Sequence, residues 1–358
     1  MASPGETKPS RLIYSKQSLI ILTGLLFVVT ILLAASAGNL TRPFPSTFHP
    51  KYLQDSVENV TSYNLPWKQT HAVNSSTELF RDKIQKHRIA VLRKGCADAR
   101  QNGVTFKLGG KSPIYNDNYR FIFSAVPKVA TTSWKRVFLV LQGQVNSTDS
   151  LHHKAVQHKF HYPKLSSLST PEANVRVNTY TKVLFVREPF HRILSAYRNK
   201  LENIDNSRFR RKYGTSIIAK YRKNPSLSSL KTGSDVTFLE FVKYLADPQT
   251  RFQDMDMHWT PIFVIGRACN MNYDIIGKFE KLQEDALYVL EKINARHVVT
   301  FPSYDTHVTN SSHDDTYSKY YSTVPEELLS RLYKKYELDF TLFDYDKPQI
   351  IEQDRVNT

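Results

Sequence analysis

A lysine and a cluster of hydroxyl residues follow an apolar run in residues 123–141, FSAVPKVATTSWKRVFLVL. Pro127 ends the run, Lys128 comes next, and the hydroxyls of residues 131–133 precede a segment whose apolar residues have helical spacing. The first N–H groups of a helix have no intrahelical partner and lie at the positive end of its dipole. This order therefore predicts an anion site between a strand and a helix. An ordinary capped turn with a surface lysine is the alternative.

The loop differs from the common nucleotide-binding motifs. It lacks both glycines of the G-x-x-x-x-G-K-[ST] triphosphate loop, and the chain has no G-x-G-x-x-G dinucleotide motif. A kinase on the same plan would need a Walker lysine and a magnesium-binding acid, and neither pairing is present. The loop therefore predicts a binding site for a phosphate-like anion. It belongs to neither common class of nucleotide-binding loop.

A second strand-to-helix unit carries an arginine and a serine that suit another phosphate. The segment TKVLFVR (181–187) is typical of a short buried strand, and Glu188-Pro189 starts a helix because proline suits the first helical position. Arg187 ends the strand, at the sheet edge where α/β proteins bind ligands, and Ser195 lies in the second helical turn. Alone, the pair is also typical of surface ion pairing. With the first loop it predicts a nucleotide with phosphates at two ends.

Both units need a sheet and flanking helices to position them. From about residue 105 onward, strand-like and helix-like segments alternate, which predicts an α/β fold with a parallel sheet. Strands are predicted at 119–126 and 181–187, helices at 77–94, 236–247 and 325–346, and a strand followed by a helix at 273–293. The helices after the two loops are predicted to bury Trp134, Val137, Phe138 and Leu141, and Phe190, Ile193, Leu194 and Tyr197.

The N-terminal segment SLIILTGLLFVVTILLAASA (18–37) carries no charge and is long enough to span a bilayer as a helix. Three basic residues and one acid precede it, so the tail is predicted to be cytoplasmic and the bulk of the chain lumenal. A cleaved signal peptide is the alternative, since Ala35-Ser-Ala37 resembles a cleavage site. The predicted organisation is a tail (1–17), a transmembrane signal-anchor (18–37), a lumenal stem (38–95), a folded domain (96–348) and a C-terminal tail (349–358).

The charge of the chain indicates what it binds. Its 358 residues have a formal net charge of +16, which predicts a polyanionic partner. A lumenal location argues against nucleic acid and favours an acidic glycan. Four sequons are candidates for glycosylation in that compartment: Asn59, Asn74, Asn146 and Asn310.

Two cysteines, Cys96 and Cys269, are predicted to be lumenal. In an oxidising compartment such a pair forms one disulfide, which here would tie the start of the folded domain to its middle. Two buried free thiols are the alternative. A count of two excludes a disulfide framework and a zinc site built from cysteines.

The two phosphate-type segments together resemble those of a known family. PKVATTSWKR resembles the 5′-phosphosulfate-binding loop of the Golgi carbohydrate sulfotransferases, and VREPFHRILSAYRNKL resembles their 3′-phosphate-binding segment. The resemblance extends to KYGTSIIAKYRKN, HWTPIFVIGRACNMNYDIIGKFEKLQED and LDFTLFDYDKP, and covers roughly residues 96–348. Within the family the chain is most similar to the chondroitin and dermatan 4-O-sulfotransferase branch, whose members are type II Golgi membrane proteins.

The resemblance implies a P-loop-like sulfotransferase fold and a reaction. The implied donor is 3′-phosphoadenosine 5′-phosphosulfate, used without a metal, and the implied acceptor is the 4-hydroxyl of N-acetylgalactosamine in chondroitin or dermatan. Arg187 and Ser195 would hold the 3′-phosphate, and Lys128 would stabilise charge on the leaving oxygen. The residues carried over to the 5′-phosphosulfate are Pro127, Lys128, Val129, Ala130, Thr131, Thr132 and Ser133.

A general base is expected among the histidines of LHHKAVQHKFHYPKL: His152, His153, His158 and His161. Histidine suits proton transfer near neutral pH. The resemblance places His161 at the position of a family histidine, and His158 is the second candidate and a candidate acceptor-binding residue. A solvated basic stretch that contacts polysaccharide is the alternative. A zinc site is disfavoured because no cysteine or carboxylate lies nearby.

Two further segments are candidates for acceptor binding. His258 lies in a segment that matches the family, and the adjacent Trp259 either stacks on a sugar ring or is buried in the core. The basic run RFRRKYGTSIIAKYRKN (208–224), with Arg211, either binds an anionic glycan or is a solvated helix face. The alternative functions are sulfation of terminal N-acetylgalactosamine or of a glucuronate-capped N-glycan, and non-catalytic glycan binding.

Overall fold

The computed structural model describes residues 75–106, 111–149, 151–302 and 314–351. Outside these ranges lie the predicted cytoplasmic tail, the predicted membrane span, residues 38–74, Asn59, Asn74, Asn310 and residues 352–358. Within the described ranges, no helix is long and apolar enough to cross a membrane. The chain divides after Thr70, and the unit from His71 onward contains every described residue.

A mixed sheet of four strands organises the fold: β1 (Ile114–Asn116), β2 (Phe121–Ser124), β3 (Thr181–Val186) and β4 (Ile275–Lys278). The strands lie side by side in chain order, with β2, β3 and β4 parallel and β1 antiparallel to β2. The prediction of a parallel sheet is therefore wrong at the β1 edge. There β1 and β2 form a hairpin, whose turn is closed by the Tyr119 N–H donating to the Asn116 side chain (3.0 Å).

Helices surround the sheet and complete the fold: α1 (Ser75–Gln101), α2 (Thr131–Leu141), α3 (His153–His158), α4 (Thr170–Thr179), α5 (Pro189–Tyr197), α6 (Ser207–Phe209), α7 (Thr215–Tyr221), α8 (Leu227–Thr232), α9 (Phe238–Ala246), α10 (Ile262–Ile265), α11 (Leu282–Lys292), α12 (Asp314–Tyr321) and α13 (Glu326–Leu342). Two π-helical turns occur after α5 and α6, namely π1 (Arg198–Glu202) and π2 (Arg210–Gly214). The predicted helices at 77–94, 236–247 and 325–346, and the strand–helix pair at 273–293, are confirmed with shifted ends.

Helix α1 belongs to the folded unit, although most of it falls in the predicted stem. Ile89 is buried in the core, and the buried Gln85 side chain accepts a hydrogen bond from the Ile276 N–H of β4 (3.0 Å). A helix packs on a sheet through a stripe of apolar residues, and its buried polar side chains form hydrogen bonds with the sheet. Residues 75–95 of the predicted stem thus lie in a packed helix of the described unit.

Helix α2 packs its predicted apolar face on the sheet. Trp134, Val137 and Phe138 are fully buried, and the Trp134 ring lies 5.3 Å from the Phe123 ring of β2 and 5.2 Å from the Phe185 ring of β3. Burying an aromatic side chain of this kind stabilises the fold by about 1.5–3 kcal/mol. These contacts fix the N-terminus of α2 beyond the carboxyl end of β2, where the anion site is predicted.

Helix α5 follows β3 in the predicted way. Pro189 occupies its first turn, and the Glu188 carboxylate caps it by accepting the His191 N–H (2.6 Å). The predicted face is buried, with Phe190, Ile193, Leu194 and Tyr197 all at 5% exposure or less. These residues share a core cluster with Trp259, which is fully buried. Trp259 is therefore a core residue, and the alternative of stacking on a sugar ring does not hold.

A disulfide joins Cys96 in α1 to Cys269 in the segment before β4, with the Cα atoms 5.5 Å apart. This is the pairing considered from the sequence, and the chain has no free cysteine. Closing a long loop lowers the entropy of the unfolded chain, so the bond stabilises the fold. Arg100 of α1 also donates to the Cys269 carbonyl, so helix and segment are held at two points.

The close approach of two parallel strands at Gly277 yields a stability prediction. Gly277 in β4 pairs with Phe185 in β3, and a Cβ at residue 277 would overlap the Phe185 ring. We expect Gly277→Ala to lower the free energy of unfolding by about 1–3 kcal/mol, the usual cost of overpacking, measured by urea denaturation. Phe185→Leu in the same chain should recover part of this loss. A Gly277→Ala variant as stable as the parent would contradict the packing.

Candidate active site

The loop between β2 and α2 has a backbone conformation that residues with side chains rarely adopt. Lys128 has a φ of 72° and Ala130 a φ of 64°, both in the left-handed region. Each such residue costs about 1–3 kcal/mol, and strain of this kind clusters at functional sites. Left-handed Ala130 is followed directly by Thr131, the first residue of α2. Such an alternation turns successive N–H groups to one side, as in anion-binding nests.

Two buried arginines hold the loop in this shape. Arg192 Nε donates to the Pro127 carbonyl (3.1 Å), and Arg187 Nη1 donates to the Lys128 carbonyl (3.3 Å). In a trans peptide the N–H lies opposite to the C=O, so turning these carbonyls toward the arginines directs the N–H groups of Lys128 and Val129 the other way. The predicted loop and the predicted strand-end arginine therefore meet in one site.

Arg192 also connects the loop to a third segment. It lies on α5 with 1% exposure, and its guanidinium donates to the carbonyls of Met257 (3.0 Å) and Thr260 (2.8 Å). One side chain thus ties the loop to the segment that contains His258. Arg192 was not predicted from the sequence, because an arginine in an amphipathic helix is usually solvated. Only the family-like segment around it gave any signal.

Arg187 stands directly after β3, as predicted, and is 4% exposed. Its guanidinium lies over the Phe279 ring, 4.2 Å from the centroid. Burial lowers the pKa of Arg187 to about 10, while the negative charges of Glu280 and Glu188 raise it. A desolvated cation of this kind gains from a bound anion, because the anion replaces the lost hydration. The residue therefore fits a phosphate group.

The three predicted hydroxyls have different surroundings. The Thr131 hydroxyl donates to the Val126 carbonyl, so its single proton closes the loop and cannot also reach an anion. Thr132 Oγ1 accepts from Gln157 Nε2 (3.0 Å), which leaves its own proton to donate. Ser133 is buried in the first turn of α2. The hydroxyl contact predicted for Thr131 does not fit this geometry, and Thr131 can offer an anion only its backbone N–H.

Ser195 lies on α5, as predicted, and is 2% exposed. Its helix is the one that carries Arg192, and it starts just after Arg187. The strained loop with Lys128 suits an anionic group, and the desolvated Arg187 suits one as well. Ser195 lies in the helix that follows, and its part in binding a second anionic group stays a prediction.

The predicted histidines of residues 152–161 lie at the N-cap of α3, within α3 and after it. His152 caps α3 through Nδ1, which accepts a backbone N–H of the helix (3.3 Å). His158 and His161 are exposed, and the His161 carbonyl accepts from the side chain of Gln144, beyond the C-terminus of α2 (3.1 Å). Since α2 starts at the loop, the backbone of His161 lies near the far end of that helix. The role of His161 as the base stays a prediction.

His258 lies beside the loop and pairs with Asp256. Its Nδ1 is 2.5 Å from the Asp256 carboxylate, which also accepts the His258 N–H (3.0 Å). Burial lowers the pKa of His258 to about 4; the Asp256 carboxylate opposes this, and the charges of Lys200 and Lys128 add to it. The structure therefore places His258 within electrostatic reach of Lys128. Asp256 was not predicted from the sequence, because its pairing with His258 depends on a local turn.

Two π-helical turns adjoin the His258 side of the site. Lys200 of π1 lies 4.8 Å from the centroid of the Phe209 ring, and this ring packs edge-on against the His258 imidazole (5.4 Å). π2 follows Phe209 within the predicted basic run and contains the exposed Arg211. Such π turns are frequent at functional sites. The basic run therefore borders the site.

Comparisons with known proteins point to sulfotransferases. The sulfotransferase family model matches residues 112–346. The chain is 37% identical to carbohydrate sulfotransferase 11 of Mus musculus over 247 residues, 68% of this chain and 70% of that protein. It is 41% identical to carbohydrate sulfotransferase 14 of Danio rerio over 235 residues (66% and 62%), and 32% identical to carbohydrate sulfotransferase 8 of Mus musculus over 336 residues (88% and 80%). No solved structure matches the chain significantly.

The matched span contains the elements that build the site. It runs from the β1 hairpin to the end of α13 and includes the strained loop, Arg187, Arg192 and the His258–Asp256 pair. The family inferred from the two phosphate-type segments is confirmed. The chain belongs to the sulfotransferase family, in the group of the carbohydrate sulfotransferases, and is an enzyme of that class.

Proposed function

We propose that this enzyme transfers sulfate from 3′-phosphoadenosine 5′-phosphosulfate to the 4-hydroxyl of N-acetylgalactosamine in chondroitin or dermatan. The single observation that carries the donor half is the contact of Arg187 with the Lys128 carbonyl, which joins the two phosphate-type segments. The acceptor half is supported by the resemblance to the chondroitin and dermatan branch and by the basic residues that border the site.

The site geometry supports the donor contacts in this proposal. Lys128 and the N–H groups of residues 128–133 bind the 5′-phosphosulfate, and Arg187 with Ser195 binds the 3′-phosphate. When bound, the donor supplies a sulfate group joined to phosphate through an oxygen that leaves with the nucleotide. Lys128 stabilises the negative charge that develops on this oxygen, and no metal takes part.

The acceptor in this proposal is an anionic polysaccharide. The chain has a net charge of +16, and basic residues of π1 and π2 lie around His258. Such a surface attracts a polymer with a uronate carboxylate in each repeat. We place the catalytic domain in the Golgi lumen behind the apolar segment 18–37, as a single-pass type II protein. Asn146, which is exposed, is then accessible to glycosylation.

Lys128 is the residue on which the transfer step depends most. We expect Lys128→Ala to lower kcat by about 10²–10³-fold, the scale of losing one donor to transition-state charge. Sulfate transfer from ³⁵S-labelled donor measures this loss. Lys159→Ala, which removes an exposed lysine after α3, is the control and should stay near the activity of the parent. Full activity of Lys128→Ala would refute the role of this ammonium.

The acceptor is tested with the lumenal fragment, residues 60–358, and the ³⁵S-labelled donor. Desulfated chondroitin, dermatan, heparosan and an asialo-N-glycan are offered separately, and disaccharide analysis locates the label. We expect label at the 4-position of N-acetylgalactosamine in chondroitin or dermatan. Label confined to heparosan or to the N-glycan would keep the reaction and reject the proposed acceptor.

A further inference from the structure

The geometry around Arg192 brings His258 to the donor loop. The same guanidinium donates to the Pro127 carbonyl (3.1 Å) and to the Met257 carbonyl (3.0 Å). Two carbonyls bound by one guanidinium lie within a few ångströms of each other. Lys128 and His258 are the next residues on the two segments, and the charge of Lys128 acts on the His258 imidazole.

The Asp256 carboxylate fixes which nitrogen of His258 carries the proton. Burial opposes ionisation of Asp256, but hydrogen bonds from His258 and the charge of Lys212 lower its pKa overall. The carboxylate therefore accepts from Nδ1–H, and a neutral imidazole then has its lone pair on Nε2. No described residue forms a hydrogen bond with Nε2. Nε2 is thus oriented to accept a proton.

We propose that His258, oriented by Asp256, is the general base of the sulfate transfer. The inference rests on the proposed function and deepens it. The acceptor hydroxyl gives its proton to His258 Nε2 while its oxygen bonds to sulfur. The bond from sulfur to the bridging oxygen breaks, and its electron pair stays on the nucleotide phosphate beside Lys128. His258 later releases the proton to solvent, and Asp256 acts only through His258.

Burial, helped by two neighbouring lysines, keeps His258 unprotonated before the reaction. Burial lowers its pKa to about 4; Asp256 raises the pKa, and Lys200 from π1 and Lys128 from the loop lower it. The imidazole is therefore neutral at neutral and mildly acidic pH, the form that a base needs. An anion bound at Lys128 offsets one of the two positive charges, so the basicity of His258 rises when the loop is occupied.

His161 is the competing candidate for the base. It is exposed, and its backbone carbonyl contacts Gln144 beyond the far end of α2. No carboxylate among the described residues forms a hydrogen bond with the His161 imidazole, whereas Asp256 holds that of His258. A base must lie within hydrogen-bond reach of the reacting hydroxyl, and the segment of His258 is tied to the loop through Arg192.

The test compares His258→Gln with His161→Gln in the full chain. Glutamine keeps a polar side chain but cannot take up a proton at these pH values. We expect His258→Gln to lower kcat by about 10²–10⁴-fold, the scale of losing a general base, and His161→Gln to lower it by less than about fivefold. Affinity for adenosine 3′,5′-bisphosphate, measured by titration calorimetry, should stay near that of the parent in both variants.

Each other outcome has a defined meaning. Retention of more than about a third of kcat in His258→Gln overturns the inference, and a large loss in His161→Gln instead assigns the base to His161. Loss of bisphosphate binding in His258→Gln shows a role in supporting the loop and also overturns it. If the parent chain neither binds the bisphosphate nor transfers sulfate to any acceptor, the proposed function fails and the inference falls with it.

Asp256→Asn separates the charge of Asp256 from its structural role. The carboxylate also accepts the His258 backbone N–H, and asparagine preserves such a cap. We expect kcat to fall by about 10²-fold with KM unchanged, because the wrong tautomer of His258 becomes accessible. The midpoint of thermal unfolding should not move. Parental kcat in Asp256→Asn, or a fall of kcat together with the unfolding midpoint, contradicts the positioning role.

The pH profile of kcat/KM is a further check. His258 loses its function only when protonated, and its pKa of about 4 keeps it neutral well below pH 6. We therefore expect kcat/KM for the donor, which reports the free enzyme, to stay flat between about pH 7.5 and 5.5. The charged groups that face the imidazole are Asp256, Lys200 and Lys128. A base with the ordinary histidine pKa of about 6.5 would lose about tenfold by pH 5.5, and such a loss contradicts the assignment.

Discussion

Arg192 lies inside the protein with 1% of its surface exposed, and its guanidinium donates to carbonyls of two chain segments. On one side it holds Pro127 of the donor loop, and on the other it holds Met257 and Thr260. Hydrogen bonds from a charged donor stabilise by about 1.5–3 kcal/mol each, and removing the donor leaves buried carbonyls without partners. The left-handed loop persists because this side chain and Arg187 fix its carbonyls.

Such a site holds two arginines inside the protein, among the acids Glu188, Glu280 and Asp339. Burial lowers the pKa of both Arg187 and Arg192, so each is held at a cost in hydration. The acid that faces Arg192 is Asp339, whose pKa burial raises to about 6, although the N–H groups of Ile262 and Phe263 oppose the shift. Desolvated arginines of this kind gain from a bound anion, which the proposed donor supplies, and the site is organised for that charge before binding.

The periodicity of the sequence predicts most of the elements that build this site. The apolar runs at β2 and β3 and the helical faces of α2 and α5 follow from local patterns, and so do the positions of Lys128 and Arg187 after strands. The short strand β1 has too few residues to show a pattern, so the mixed sheet could not be predicted. The positive φ of Ala130 could not be predicted either, because glycine is the residue that usually indicates this conformation in a sequence.

Contacts made in the tertiary structure were the part that the sequence could not reveal. Arg192 resembles any polar residue on an amphipathic helix until its three carbonyl partners are known. Asp256 matters because its carboxylate is hydrogen-bonded to His258 two residues later. The turn that brings them together has no regular sequence pattern. Residue type alone made the histidines near His161 the natural candidates, since four of them cluster in one segment. Their position relative to the loop depends on how α3 packs.

Because Arg192 holds both segments, the donor-binding loop and the His258 turn cannot shift independently. A change in the loop that moves the Pro127 carbonyl also disturbs the hydrogen bonds to Met257 and Thr260. In-line transfer needs the attacking oxygen, the sulfur and the leaving oxygen to be aligned, and small misplacement costs much of the rate. In the proposed mechanism a shared guanidinium meets this requirement, because it ties the segment of Lys128, which would stabilise the leaving oxygen, to the segment of His258, which would lie beside the attacking oxygen.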